Sequence, residues 1–228
     1  MEIINPYQHA KLCLNYVRRQ SPDVILFYSA GGKDSLVLLD MARKIFNRVF
    51  CVYMYFVKDL RHVQPFINYA EKFDNVQVLQ YSHWIVSQYL RNNYMTIVSP
   101  KRTNKISLKQ ADMEKRARKE TGVKWMLFGN KMADGLTRRL ELTNYYFDSI
   151  NTKTQKAFPL SHWTKKQVLS YIHNFNMPKP IQYSEKTKVS GVGLNYHCLA
   201  WLKEHYPHDL RKILKVFPLA EQKILNNE

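Results

Sequence analysis

Seven consecutive residues, Ser29-Ala30-Gly31-Gly32-Lys33-Asp34-Ser35, bring together two glycines, two hydroxyls, an ammonium and a carboxylate. Gly31 and Gly32 can take backbone angles closed to other residues and let main-chain N–H groups approach an anion closely. Lys33 adds a point charge, and the hydroxyls of Ser29 and Ser35 can donate to phosphate oxygens. Asp34 offers the hard oxygen ligand that Mg²⁺ prefers beside phosphate. The chemistry such a set could do is to grip a phosphate chain.

A grip of this kind works only if its flanks hold it at a strand end and a helix start. Before it lies Val24-Ile25-Leu26-Phe27-Tyr28, an apolar run without alternation, as in a strand covered on both faces. After it, Leu36-Val37-Leu38-Leu39-Asp40-Met41-Ala42 suits a buried helix whose first N–H groups and positive dipole end finish the cradle. A Walker loop needs Ser or Thr directly after Gly-Lys, and here Asp34 follows Lys33. The G-x-G-x-x-G dinucleotide fingerprint is also absent.

The rest of the chain alternates in the same way. A helix over Tyr7–Arg19 leads in, and Val49–Val57 reads as a second buried strand, rich in β-branched and aromatic residues. His62–Phe73 reads as a helix, Val76–Leu79 as a strand, Trp84–Leu90 as a helix and Lys124–Gly129 as a strand. Alternation of strand and helix implies right-handed crossovers and a parallel sheet, with ligands beyond the carboxyl ends of the strands. Ser99–Glu120 is dominated by Lys and Arg: either a solvated helix from about Ser107 behind a loop, or a basic arm over the cleft or along a nucleic-acid backbone. The segment holds no aromatic residue, which disfavours base stacking.

Ser-Ala-Gly-Gly-Lys-Asp-Ser after an apolar strand resembles the PP-loop of the N-type ATP pyrophosphatases and of the phosphoadenosine phosphosulfate (PAPS) reductases. Gly129, Lys131, Asp134 and Arg138 resemble that family's G-x-R-x-x-D/E-x-x-x-R segment, with Lys131 where Arg is usual. Phe158-Pro159-Leu160-Ser161-His162-Trp163-Thr164-Lys165-Lys166-Gln167-Val168 followed by Tyr171-Ile172 resembles a further segment of the same reductases and of the related sulfate adenylyltransferases. This last segment reads as architectural, with Thr164 capping a helix over Lys165–Phe175.

The resemblance implies an α/β, Rossmann-like (adenine nucleotide alpha hydrolase-like) domain over residues 1–193, with a C-terminal helical extension over 194–228. Its sheet would be mostly parallel and five-stranded, with helices on both faces. The ligand implied is ATP, or PAPS, with Mg²⁺ held by Asp34. Nucleotide contacts are expected from Ser29, Gly31, Gly32, Lys33, Asp34, Ser35, Gly129 and Lys131, and catalytic roles from Lys33, Asp34 and Arg138. Asp59 is the nearest candidate for the acidic contact to ribose and adenine that relatives place after the second strand. Lys186, Lys188, Ser190, Gly191 and Gly193 form a polar loop of the kind in which relatives place phosphate-binding groups.

The chain departs from a reductase in one respect. Family reductases attack sulfur with a cysteine in a Glu-Cys-Gly-Leu-His tail, whereas this sequence ends Ile224-Leu225-Asn226-Asn227-Glu228. Cys198 shares a helical face with Leu194, Trp201 and Leu202, the spacing of a core position. Attack of an acceptor on the ATP α-phosphate is therefore expected over sulfur reduction. A third alternative is a nucleotide-dependent protein that binds nucleic acid or an assembly without catalysis.

Composition sets the outer bounds. The 228 residues carry 35 Lys and Arg against 18 Asp and Glu, a net charge of +17 that favours nucleotides, nucleic acid or an acidic protein partner. Three scattered cysteines without C-x-x-C argue against a disulfide framework or zinc site and for a reducing compartment, by default the cytoplasm. No apolar run approaches a membrane span, and the N-terminal residues do not read as a signal peptide.

Overall fold

The computed structural model describes residues 5–97, 106–183 and 193–226. The start of the basic segment Ser99–Glu120, as far as Lys105, and the expectations placed on Lys186, Lys188, Ser190 and Gly191 lie outside them.

Helix α1 (Pro6–Gln20) starts at an Asn5 cap whose side chain accepts from the Tyr7 N–H, and Pro6 opens it with a backbone angle already suited to a helix. Then follow β1 (Asp23–Tyr28), α2 (Lys33–Arg43), β2 (Arg48–Tyr55), α3 (Gln64–Glu71), β3 (Val76–Ser82), α4 (Trp84–Arg91) and α5 (Gln110–Thr121). After β4 (Met126–Leu127) and a 3₁₀ turn over Met132–Asp134 come α6 (Leu136–Thr143), β5 (Ile150–Asn151), β6 (Lys156–Ala157) and α7 (Lys165–Asn174). The chain closes with α8 (Tyr196–His205), α9 (Pro207–Val216), a 3₁₀ turn over Pro218–Glu221 and α10 (Gln222–Leu225).

The strands form one sheet in the order β3-β2-β1-β4-β6-β5. β1 runs parallel to β2 and to β4, and β4 parallel to β6, while β5 is antiparallel to its neighbour, β6. The expected α/β, mostly parallel, Rossmann-like architecture is present. The sheet has six strands because β5 and β6 add a hairpin at its edge, two residues per strand. Segments so short carry no hydrophobic period for a reader to detect.

From β1 the chain steps through α2 to β2 and through α3 to β3, then returns to lay β4 on the other side of β1. Right-handed crossovers send the helices of the two directions to opposite faces. The crevice beyond the carboxyl ends of β1 and β4 is thus a topological switch point, where ligands of such sheets bind. Val24, Ile25, Leu26 and Leu36–Leu39 have no exposed surface, as an unalternating strand and an inward-facing helix require.

The chain forms two compact units: 1–53, 66–79 and 117–180 make the first, and 54–65, 80–116 and 181–228 the second. The first holds most of the sheet. In the second, α8 and α9 pack on each other, and Asp209 binds the loop after β2. Its carboxylate accepts the N–H groups of Arg61 and His62, each at 2.9 Å, and the His62 Nδ1–H at 2.7 Å. The second unit also holds α5 up to Arg116. Met113 and Ala117 are buried along this helix, so it is less polar all round than its sequence suggests. No helix among the described residues is long and apolar enough to cross a membrane.

Candidate functional site

The cradle turn is tight. The Gly32 N–H donates to the Ser29 carbonyl at 2.8 Å, and Gly31 sits at φ 79°, the left-handed position that such a turn reserves for glycine. A Cβ on Gly32 would lie 3.0 Å from the Ser29 Cβ and 3.1 Å from the Ser29 carbonyl oxygen, so the loop is shut to any side chain there. Ser35, buried in the first turn of α2, accepts the Ser29 N–H on its Oγ at 2.9 Å and closes the loop on itself. Its hydroxyl hydrogen is still there to be donated. Gly32 caps α2 with no side-chain hydrogen bond, so the first N–H groups of the helix face the crevice uncapped.

The second wall comes from β4. Gly129 follows this strand, and a Cβ there would stand 3.1 Å from the Asp34 Cβ; the absence of a side chain is what lets the two loops meet. The strand ends beneath them are held by stacked rings: Phe27 on Phe128 with centroids 4.6 Å apart, and Phe128 on Phe158 at 5.7 Å.

The charges of the two loops interlock. Lys33 Nζ donates to Asp34 Oδ2 at 2.8 Å. Lys131 Nζ lies 2.8 Å from Asp34 Oδ1 and 3.0 Å from Asp134 Oδ1. The Lys131 side chain is 2% exposed, its ammonium is buried, and neither of its carboxylate contacts has hydrogen-bond geometry. A buried ammonium with N–H capacity still to spend is costly unless a further acceptor arrives. Asp134 fixes Lys131 from below as well, because its Oδ2 accepts the Lys131 backbone N–H at 2.8 Å across the 3₁₀ turn.

Ser29, Gly31, Gly32, Lys33, Asp34, Ser35, Gly129 and Lys131 therefore converge on one place. Arg138 stands on the exposed helix α6 with its guanidinium on Glu141 at 2.5 Å. Asp59 belongs to the second unit, in a left-handed backbone conformation, its carbonyl accepting from Lys212 at 2.6 Å. Asp134 was not expected as a site residue, although the Gly129-Lys131-Asp134 spacing holds the signal: three residues on, a carboxylate reaches back to the start of its own turn.

The family model of the phosphoadenosine phosphosulfate reductase domain matches residues 24–188. This chain belongs to that family. The matched stretch of the PAPS reductase family opens on β1 and takes in both loops of the crevice. No curated protein matches the sequence. Among solved structures, the NH₃-dependent NAD synthetase from Campylobacter jejuni subsp. jejuni NCTC 11168, in complex with the nitrate ion, is similar with a TM-score of 0.48 and 12% identity, over 98% of this chain and 95% of that one.

Family membership makes the cysteines decisive. Cys13, Cys51 and Cys198 are all buried and unpaired. Burial pushes the Cys198 thiol up to about 11 and that of Cys13 up to about 12, and it raises Cys51 as well. Cys198 has no exposed surface, as the apolar spacing around it predicts. None of the three is the accessible thiolate that attack on sulfur requires.

Proposed function

We propose that this PAPS reductase family member binds an adenine nucleotide at the β1/β4 crevice and directs an acceptor onto the ATP α-phosphate. One observation carries the reading: an uncapped helix start and a buried, incompletely hydrogen-bonded ammonium face the same glycine-lined gap at the switch point. In the reaction, an acceptor oxygen bonds to the α-phosphorus as the bond from that phosphorus to the α–β bridging oxygen breaks. Pyrophosphate leaves with the bonding electrons. The cradle amides, Lys33 and Lys131 stabilise the charge gathering on it, and catalysis is mostly positioning and neutralisation.

The residues present fit a Mg²⁺ ion that arrives with the nucleotide. No group of three or more His, Cys, Asp or Glu converges among the described residues, so the protein would supply the Asp34 carboxylate, with phosphate oxygens and water as the other ligands. Bound there, Mg²⁺ would add positive charge to the leaving pyrophosphate.

Labelled ATP incubated with Mg²⁺ and candidate oxyanion acceptors tests the reading. Pyrophosphate release should fall roughly 10²-fold or more in Lys33→Ala and Asp34→Ala; release undiminished in both would remove the chemistry from this crevice. Sulfonucleotide reduction, the activity in the family's name, lacks an exposed thiolate here. Buried, unpaired thiols suit a reducing compartment, and we place the protein in the cytoplasm.

A further inference from the structure

In a chain of net charge +17, the crevice loops that would receive an anion are electrically balanced. Lys33 and Lys131 stand against Asp34 and Asp134, and on α6 Arg138 stands against Glu141. The two ammoniums differ in freedom. Lys131 is buried and tied from two sides by Asp134, whereas the Lys33 side chain keeps 24% of its surface and, among the described residues, is tied to Asp34 alone. When a phosphate chain enters, Lys33 is therefore the group able to turn toward it. That turn bares Asp34 Oδ2 beside the incoming phosphates, while Oδ1 stays on Lys131. A bared carboxylate oxygen next to phosphate is repulsive in a poorly screened site, unless a divalent cation joins both.

We infer that Lys33 is a counter-ion gate, and that the cradle accepts polyphosphate and divalent cation only together. Free cation is refused because Lys33 occupies the oxygen it needs. Free polyphosphate is disfavoured because taking Lys33 uncovers a carboxylate. The inference rests on the nucleotide-binding reading above and specifies which form of the ligand the site takes. Asp134 enters as a positioning residue: by holding Lys131 on Oδ1, it leaves Lys33 as the group that moves.

Calorimetric titration with α,β-methylene-ATP, which the proposed reaction cannot cleave, tests this in Mg²⁺ and in EDTA. The wild-type chain should bind at least about tenfold more tightly with Mg²⁺, an ordinary size for coupling between two ligands. In Asp34→Asn the metal-free affinity should rise and the gain from Mg²⁺ fall below about twofold. Should Asp34→Asn fail to fold around the buried Lys131, Lys33→Met is decisive: by electron paramagnetic resonance, without nucleotide, it should bind Mn²⁺ more tightly than wild type. Equal analogue affinity with and without Mg²⁺, or Mn²⁺ affinity unchanged or weakened in Lys33→Met, overturns the gate and leaves nucleotide binding standing. Absence of analogue binding under either condition overturns the nucleotide reading itself.

Discussion

One methyl group at Gly32 would press on the side chain and carbonyl of Ser29 at 3.0–3.1 Å, in a loop that Ser35 already holds closed. Overpacking of this kind costs about 1–3 kcal/mol. Gly32→Ala should thus lower the melting temperature modestly and lower nucleotide affinity far more, because the loop must open where the phosphates are to sit. Gly31→Ala should weigh more on stability and less on affinity: its φ of 79° strains any side chain by about 1–2 kcal/mol. Calorimetric melting and analogue titration on the same two variants separate these effects; equal loss of affinity in both would put the Gly32 argument aside. The glycines, Lys33 and Asp34 are readable in sequence because neighbours along the chain make the turn. The Lys131–Asp34 contact is not, since it joins residues 97 positions apart and depends on Gly129 letting two loops meet. Asp134 is visible in sequence as part of a family-like segment but carries no role there for a related reason: a carboxylate three residues from a lysine is usually only a solvated pair.

Helix α7 fixes the cradle helix from behind. The Thr164 side chain accepts the Gln167 N–H, and the Gln167 side chain returns to the Thr164 N–H at 2.8 Å, a reciprocal cap at the helix start. The Trp163 indole N–H donates to the Pro6 carbonyl at 2.9 Å, and the Tyr171 hydroxyl donates to Asp40 of α2 at 2.7 Å. Thr164→Ala should cost about 1 kcal/mol of stability by denaturant titration, with no change in the metal dependence of nucleotide binding. A coupled change in that dependence would mean that α7 does more than brace. The architectural role of this segment was legible, because a Thr-x-x-Gln start before a periodic apolar stretch is a local signal.

In the second unit, the His62–Asp209 pair sets a pH response. Burial lowers the His62 pKa against the opposing pull of Asp209, so below about pH 6.5 the unfolded chain binds a proton that the folded chain resists. Stability therefore falls as pH drops through that range. For Asp209, burial works upward, and the N–H groups of Arg61 and His62 with the His62 ring outweigh it, leaving its pKa lowered. Its contribution is complete above the usual carboxylate range and is lost as pH falls below it. Melting temperature should decline between pH 7.5 and 5.5, and less steeply in His62→Gln; an identical slope in that variant would assign the decline to other groups, such as buried His9. Sequence alone leaves this pair hidden, because its partners stand 147 positions apart and the loop they join has no regular period.

Across the whole molecule, a charge of +17 coexists with local pairing at several basic residues. Arg43 and Lys44 both hold Asp40, and Arg48 holds Asp23. Field and site are thus separate properties. The field attracts any polyanion at long range and fades with salt over a Debye length of about 8–10 Å, whereas the balanced crevice selects at short range. Composition reports only the first, which is why sequence left nucleic acid and nucleotide as rival partners. The rivals diverge in a salt titration. A short DNA duplex should bind at low ionic strength through the field and lose affinity steeply as salt rises, by orders of magnitude between 50 and 200 mM if several phosphates are contacted. The nucleotide analogue with Mg²⁺ should lose far less over the same range, because its partners Lys131 and Asp34 are buried or half-buried and weakly screened. Gel shift for the duplex and calorimetry for the analogue, both across that interval, make the comparison. Duplex binding that persists through 200 mM salt and strengthens when analogue and Mg²⁺ are added would instead favour a nucleotide-gated nucleic-acid binder built on the same cradle.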